Sequence, residues 1–487
     1  MSSDKQGKVP GIHSDKCEIG GLMNIKDISF EPTGDPFVDA GGIAMAFAAG
    51  KYAEELVLRL IERVATVYVE AWGGKINSLY LNSRITHMSR KGQEKVDATL
   101  ELYQSMLTPP ENTETGYCRI CGSSEALFEA GREQFCLSGS APFVNFHHGH
   151  EAGLTLCKSC SIKLFFLPLI VVQMGGNLAL FHCRSNRVKD YWVKKTVAEN
   201  FDKLARDTSE GILKSDLRNP RNALFHMAAD IILETEDPDF SDFIQLFHFT
   251  NFGAGPDCEI YALPDPVFNF MSRVLRYNKV EWFRFVRRHY RIKQSHWDEA
   301  GSEWLKKSGG NVFDETEYRD NPNMVFERLL VGRSILPLLK SYYRDIYKNT
   351  DKEISIMIVY HYVKEVLHMK QETLDIIKRV ANVIFDLSRQ EDNFKKYLTM
   401  IEGAGRAHEL RAVLLKVVKT HFRNGNVEPV LRLDDYVNYL FPDGQYWGEV
   451  RDLMLIYLYE KMHEARIDAE AIPEKEVVTA EEEINSL

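Results

Sequence analysis

Cys118-Arg119-Ile120-Cys121 and Cys157-Lys158-Ser159-Cys160 are two CxxC pairs that face each other across an insertion, residues 122–156. Within each pair the two thiolates share one tight turn and point at a single cation. Two such turns supply the four soft ligands that tetrahedral zinc prefers. Gly122, directly after the first pair, lets the chain fold back so that backbone N–H groups approach the sulfurs. A thioredoxin-like redox motif needs one CxxC on a βαβ unit, whereas two pairs without such a unit point to a metal. Four sulfurs fill every position of the tetrahedron, so zinc held there staples a fold and leaves no open position for catalysis. The insertion also holds His147, His148, His150 and Glu151. These are rival ligands and the basis of the alternative reading, a zinc-dependent nuclease acting through that cluster.

A chain of 487 residues with 44% hydrophobic side chains can build two to four domains with substantial cores. Outside the two pairs the eight cysteines show no framework spacing, and residues 1–16 contain no apolar signal-peptide core. Both features predict a reducing cytoplasm. Residues 164–181 are apolar but interrupted by Pro168, Gln173, Gly175, Gly176 and Asn177, so they read as buried strands around a Gly-Gly turn and not as a membrane span. A formal net charge of −10 argues, taken alone, against a nucleic-acid partner. Residues 468–487, however, carry seven acids against Lys475 and read as a disordered acidic tail, which leaves the folded part closer to neutral.

Along the chain, Asp35-Pro36 reads as a helix N-cap with proline at the first position, and Gly41-Gly42 implies close packing there. Leu56, Leu60, Val64, Val67 and Ala71 recur at helical spacing and stop at Gly73-Gly74. Residues 75–86 alternate enough to predict one or two strands, and 96–106 a short helix before Pro109-Pro110. Residues 190–206 read as helical. Residues 215–222 read as a loop carrying Arg218, Asn219, Arg221 and Asn222, side chains suited to base edges and phosphates.

Residues 273–293 hold the strongest charge signal, eight bases against Glu281. Arg284, Arg287, Arg288 and Arg291 fall at i, i+3, i+4 and i+7, which on one helix makes a guanidinium ridge whose self-repulsion calls for a polyanion or an acidic partner. From residue 324 the pattern is helical: Phe326, Leu329 and Leu330; Leu374, Ile377, Ala381 and Ile384; Val413, Leu414, Val417 and Val418; Val450, Leu453, Met454 and Tyr457. Asn424-Gly425 and Pro442-Asp443-Gly444 are the breaks. Lys416, Lys419 and Arg423 align near a helix C-terminus, where they suit either the helix dipole or phosphates. The predicted class is α+β: a mixed N-terminal region with an inserted four-cysteine zinc ribbon, followed by a C-terminal α-helical bundle. No GxxxxGK[ST], HExxH, GxSxG or HD metal pair occurs, which favours a protein that is not an enzyme.

The opening Gly34-Asp35-Pro36-Phe37-Val38-Asp39-Ala40-Gly41, the paired cysteines and the helical last third together resemble the CXXC-CXXC family of large subunits of type I (I-B or I-A) CRISPR Cascade surveillance complexes. The resemblance implies a non-catalytic subunit in antiviral defence that binds the 5′ region of crRNA and recognises the protospacer-adjacent motif (PAM) on target double-stranded DNA. It would also help R-loop formation and recruit a separate helicase-nuclease. The implied partners are crRNA, target DNA, the Cascade backbone and small subunits and that nuclease, with no membrane. The implied organisation is a nucleic-acid and PAM-recognition region 1–323 containing a zinc ribbon 114–165, a helical bundle 324–467 resembling the small subunit, and the tail 468–487. Guide pairing carries the sequence information in such complexes, so a PAM reader needs few donors plus basic surfaces that grip phosphates.

Overall fold

A computed structural model describes residues 23–138, 154–234, 242–251, 256–349, 355–441 and 447–467. The His147–Glu151 cluster, the tail from Asp468 and the break at Pro442-Asp443-Gly444 lie outside them. The chain divides into two compact units, one of residues 1–182, 189–215 and 247–259, the other of 183–188, 216–246 and 260–487. Together they are α+β, with the sheets early in the chain and a mostly helical C-terminal region.

The first unit starts with α1 (Pro36–Tyr52), capped by Asp35, whose carboxylate accepts from the backbone N–H groups of Phe37 and Val38 at 3.0 and 2.8 Å. Phe37 then enters the core edge-to-face against Phe135, Phe247 and Phe249, the last with ring centroids 5.0 Å apart. α2 (Val57–Thr66) runs on through a π-turn, Val67–Ala71, and α3 (Gln93–Leu107) packs against it. Strands β1 (Thr115–Tyr117), β2 (Ser124–Ala130) and β3 (Leu154–Cys157) form an antiparallel sheet that leads straight into α4 (Lys158–Phe165).

β4 (Val172–Met174) and β5 (Asn177–Cys183) make the hairpin around Gly175-Gly176 that the sequence predicts, with Gly175 at φ +63°. Helices α5 (Asn186–Val193) and α6 (Glu199–Ala205) follow, then β6 (Leu213–Lys214), parallel to β4. After α7 (Pro220–Glu234), β7 (Ile244–Thr250) and β8 (Asp257–Leu263) complete a sheet of order β6-β4-β5-β7-β8. No described helix is long and apolar enough to cross a membrane.

α1 meets α4 through Gly41, where an added Cβ would stand 2.2 Å from the Lys163 carbonyl oxygen. Alanine ordinarily stabilises a helix interior over glycine by about 1 kcal/mol. Here the obstacle is rigid backbone, and overpacking of that kind typically costs about 1–3 kcal/mol. Gly41→Ala is therefore expected to lower stability in chemical denaturation, the reverse of the propensity order; a neutral or stabilised variant would show that α1 and α4 part easily.

Residues 75–86 depart from the predicted strands: they are a chain of turns. Ile76, Leu79, Tyr80 and Ile85 are buried as the alternation implies, but local turn bonds and side chains, not a partner strand, satisfy their backbone. Asn251, wholly buried, donates to the Leu79 and Arg132 carbonyls at 2.6 and 2.9 Å, and Thr86 Oγ1 donates to the Tyr80 carbonyl at 2.8 Å. With those partners in place the segment needs no ladder.

In the second unit α8 (Asp265–Tyr277) and α9 (Lys279–Arg288) precede the hairpin β9 (Ser295–Asp298) and β10 (Glu303–Lys306), in which Trp297 opposes Trp304. The helices α10 (Glu315–Tyr318), α11 (Met324–Leu330), α12 (Leu336–Asn349), α13 (Met357–Glu365), α14 (Gln371–Gln390), α15 (Phe394–Glu402), α16 (Ala407–Arg423) and α17 (Trp447–Glu464) complete it. α16 ends as predicted, with Gly425 at φ +86° behind Asn424. α17 goes beyond its predicted apolar stripe. Leu453, Met454, Leu455, Ile456, Leu458 and Tyr459 are all buried, so it is a central helix that α12, α14, α15 and α16 contact.

Candidate functional site

The sulfurs of Cys118, Cys121, Cys157 and Cys160 lie within 4.8 Å of one another, with Cys121 exposed and the other three buried. The first pair sits on a turn between β1 and β2, closed by Gly122 N–H donating to the Cys118 carbonyl at 3.0 Å, with Gly122 at φ +71°. This is the left-handed backbone that favours glycine. Arg119 N–H donates to the Thr155 carbonyl at 3.1 Å and so fastens that turn to β3. The second pair straddles the end of β3 and the start of α4: Cys157 is the N-cap, and its Sγ accepts from Cys160 N–H at 3.4 Å. Partial positive charge at a helix start favours thiolate over thiol.

Four thiolates this close repel strongly without a cation. Hydrogen bonds from the Cys157 and Cys160 thiols hold Cys118 far below the ordinary thiol range. The same bonds, joined by burial, push Cys157 up to about 12 and Cys160 higher still. These opposed shifts mark buried sulfurs competing for charge at one place, and a divalent cation at the centre removes that conflict. The spacing agrees, because Zn–S bonds of about 2.3 Å set tetrahedral edges of about 3.8 Å. Cys121 Sγ to Cys157 Sγ is 3.6 Å. The residues fit a closed four-sulfur metal site.

The basic segments of the second unit converge. Arg221 Nη1 and Arg291 Nη2 each lie 3.2 Å from a carboxylate oxygen of Glu327, and both arginines remain nearly half exposed. Arg218 is exposed, its backbone N–H donating to Asp320 at 2.6 Å. Asn219 and Asn222 serve the fold: Asn219 Oδ1 accepts from the Arg221 and Asn222 N–H groups at the start of α7, and the Asn222 amide donates to the Arg319 and Asn321 carbonyls at 2.7 and 2.8 Å. Residues 215–219 are the loop; Arg221 and Asn222 already belong to α7.

The predicted arginine ridge is not a single helix face. α9 stops at Arg288, and Arg291 follows in irregular backbone after a bridge between Tyr290 and Asn323, its N–H donating to the Pro322 carbonyl at 2.9 Å. Burial of Trp282, Phe285 and Val286 fixes the helix rotation. Arg288 is then drawn to Glu299 at 2.7 Å and to Asp345, Arg284 donates to the Glu299 carbonyl at 3.0 Å, and Arg287 bonds Tyr318. Carboxylates from distant parts of the chain relieve the repulsion read from the local sequence. Lys416, Lys419 and Arg423 stand exposed on α16, beside the exposed Leu415 and Phe422.

One basic set escapes the local-excess criterion. Residues 75–93 contain Lys75, Arg84, Arg90 and Lys91 and no acid, and Arg84, His87 and Arg90 border a cleft. The absence of acids was the available signal, masked by the strand-like alternation of the same residues. Compared with models of known protein families and with curated protein sequences, the chain matches none.

Proposed function

We propose that the chain is a non-catalytic, zinc-stapled subunit that grips nucleic acid by its phosphates, acting as the large subunit of an RNA-guided DNA surveillance complex in antiviral defence. The carrying observation is the meeting of two separate basic segments at Glu327, where two half-exposed guanidinium groups share one carboxylate and leave a positive charge unmatched. Planar guanidinium groups hold phosphates well, and an anion arriving there displaces a partly exposed ion pair of small worth. Zinc belongs on Cys118, Cys121, Cys157 and Cys160 as a structural ion. The motifs at residues 34–41 and the paired cysteines support the narrower role: PAM recognition on duplex DNA, contact with the crRNA 5′ region, help in R-loop formation and recruitment of a separate nuclease.

Replacing Arg221 and Arg291 together by glutamine is expected to weaken duplex and single-strand binding. It should also lower the slope of log affinity against log salt by about 1 for each phosphate that the protein no longer neutralises. An unchanged slope would remove this face from the account. Cleavage of labelled DNA by the purified chain with divalent metal would overturn the non-catalytic role.

A further inference from the structure

A cleft of about 470 Å³ opens in the first unit between the turns of residues 76–90, α3 and residues 129–134. Small-ligand sites span about 300–1,000 Å³, so the volume suits one compact organic group. Its chemistry is graded. Tyr80, Tyr103 and Phe165 line it as nearly buried rings, 4%, 5% and 6% exposed. Arg84 and Arg90 stand nearer to solvent, and neither has a carboxylate within ion-pair distance among the described residues; Glu129 and Glu133 also line the cleft, Glu133 accepting from the Gly131 N–H at 3.3 Å. Gln134 also lines the cleft, and its Oε1 is shut off from water with no hydrogen-bond donor. Its last torsion is a soft one, so the acceptor can turn into the cleft to meet an N–H.

A ligand that answers all three features has a flat apolar body, an N–H edge and an anionic group. A sugar phosphate lacks the first, and a fatty acid lacks the second. We infer that this cleft takes one nucleotide turned out of its strand, the base entering between the aromatic wall and Gln134, the phosphate resting on Arg84 and Arg90. The inference rests on the nucleic-acid reading above and adds the place where a single base is pinned.

The test uses the full chain, a short single strand of RNA or DNA, and a DNA strand of equal length built from abasic-site analogues, with binding read by fluorescence anisotropy. Stacking and edge contacts to one base are worth about tenfold in affinity, so the abasic strand is expected to bind about tenfold more weakly. Gln134→Leu should weaken the strand with bases and leave the abasic strand unchanged, a non-additivity that a merely structural residue does not give. Arg84→Gln with Arg90→Gln should weaken both strands and flatten the salt dependence; these side chains reach toward solvent, and a thermal melt checks the fold. The RNA and DNA arms identify which strand supplies the base. Equal loss for both strands on Gln134→Leu, or no loss, removes the cleft from base binding while retained affinity keeps the proposed function. Free nucleoside monophosphates that bind as tightly as the strand assign the cleft to a soluble nucleotide and overturn the pinning. If neither strand binds, the function and the cleft fall together.

Discussion

The Cys157→Ser protein is expected to leave purification without its equivalent of zinc and with residues 115–165 open to protease. Cys157 is the position where the metal, the sheet and a helix join. It pairs with Leu127 across β2 and β3, it is fully buried, and its sulfur caps α4. An oxygen in its place keeps a weak cap but breaks the four-thiolate set. Structural zinc in small domains contributes an apparent folding free energy of about 10–16 kcal/mol. Loss of one ligand forfeits much of it and leaves three sulfurs crowded without their cation. The damage should travel, since α4 is also the helix on which Gly41 of α1 rests. Metal content by mass spectrometry and limited proteolysis report the two effects separately. Cys136→Ser is the control, a change at a buried cysteine outside the cluster that should leave the metal content at one. A metal-free wild-type chain that is nonetheless folded and protease-resistant would remove zinc from the account.

Much of this centre was legible because its determinants are local. A CxxC turn, a glycine behind it and a capped helix each involve neighbours in sequence, and the Asp35-Pro36 cap and the Gly175-Gly176 hairpin were readable for the same reason. The burial of α17 on nearly all sides was less so. Its apolar stripe is visible in sequence, but whether a second face is also covered depends on how many helices surround it. Residues 75–86 show the opposite failure. Alternation there is real as burial and false as a ladder, because local turn bonds and Asn251, distant in sequence, supply the hydrogen bonds that a partner strand would otherwise give.

Charge was the least legible property. Residues 273–293 count as strongly basic in any window, yet Arg288 is held between Glu299 and Asp345, and Arg291 meets Glu327. A window sees the local excess and not the acids that folding brings to it. Residues 75–93 are the converse case: fewer bases, no acid, and arginines at the edge of a cleft with no carboxylate at ion-pair distance among the described residues. Exposed charge after pairing, and not charge per window, is what a phosphate meets.

The other large effect is expected in the helical bundle, where Asp452→Leu should destabilise the chain by about 3–5 kcal/mol. Asp452 on α17 is 2% exposed and accepts from Lys340 of α12 at 3.0 Å and from Arg451 at 3.0 Å. Burial lowers the Lys340 ammonium below its usual range, and attraction to Asp452 restores it incompletely. Desolvation therefore outweighs the pair's attraction for that lysine, and the carboxylate is what keeps it tolerable there. Removing Asp452 strands a buried ammonium beside a guanidinium. Removing Lys340 instead, as methionine, leaves Asp452 still held by Arg451, so a smaller loss of about 1–3 kcal/mol is expected. Arg451 also donates to the Ala404 carbonyl at 3.0 Å and is 19% exposed, which gives it water and a second partner when the carboxylate is gone. The double variant Lys340→Met with Asp452→Leu should accordingly be more stable than Asp452→Leu alone, because an apolar pair of similar volume carries no stranded charge. Denaturant unfolding of the four proteins gives the coupling directly. Additive losses, or a Lys340→Met protein weaker than Asp452→Leu, would mean that the lysine and not the carboxylate anchors α12 to α17.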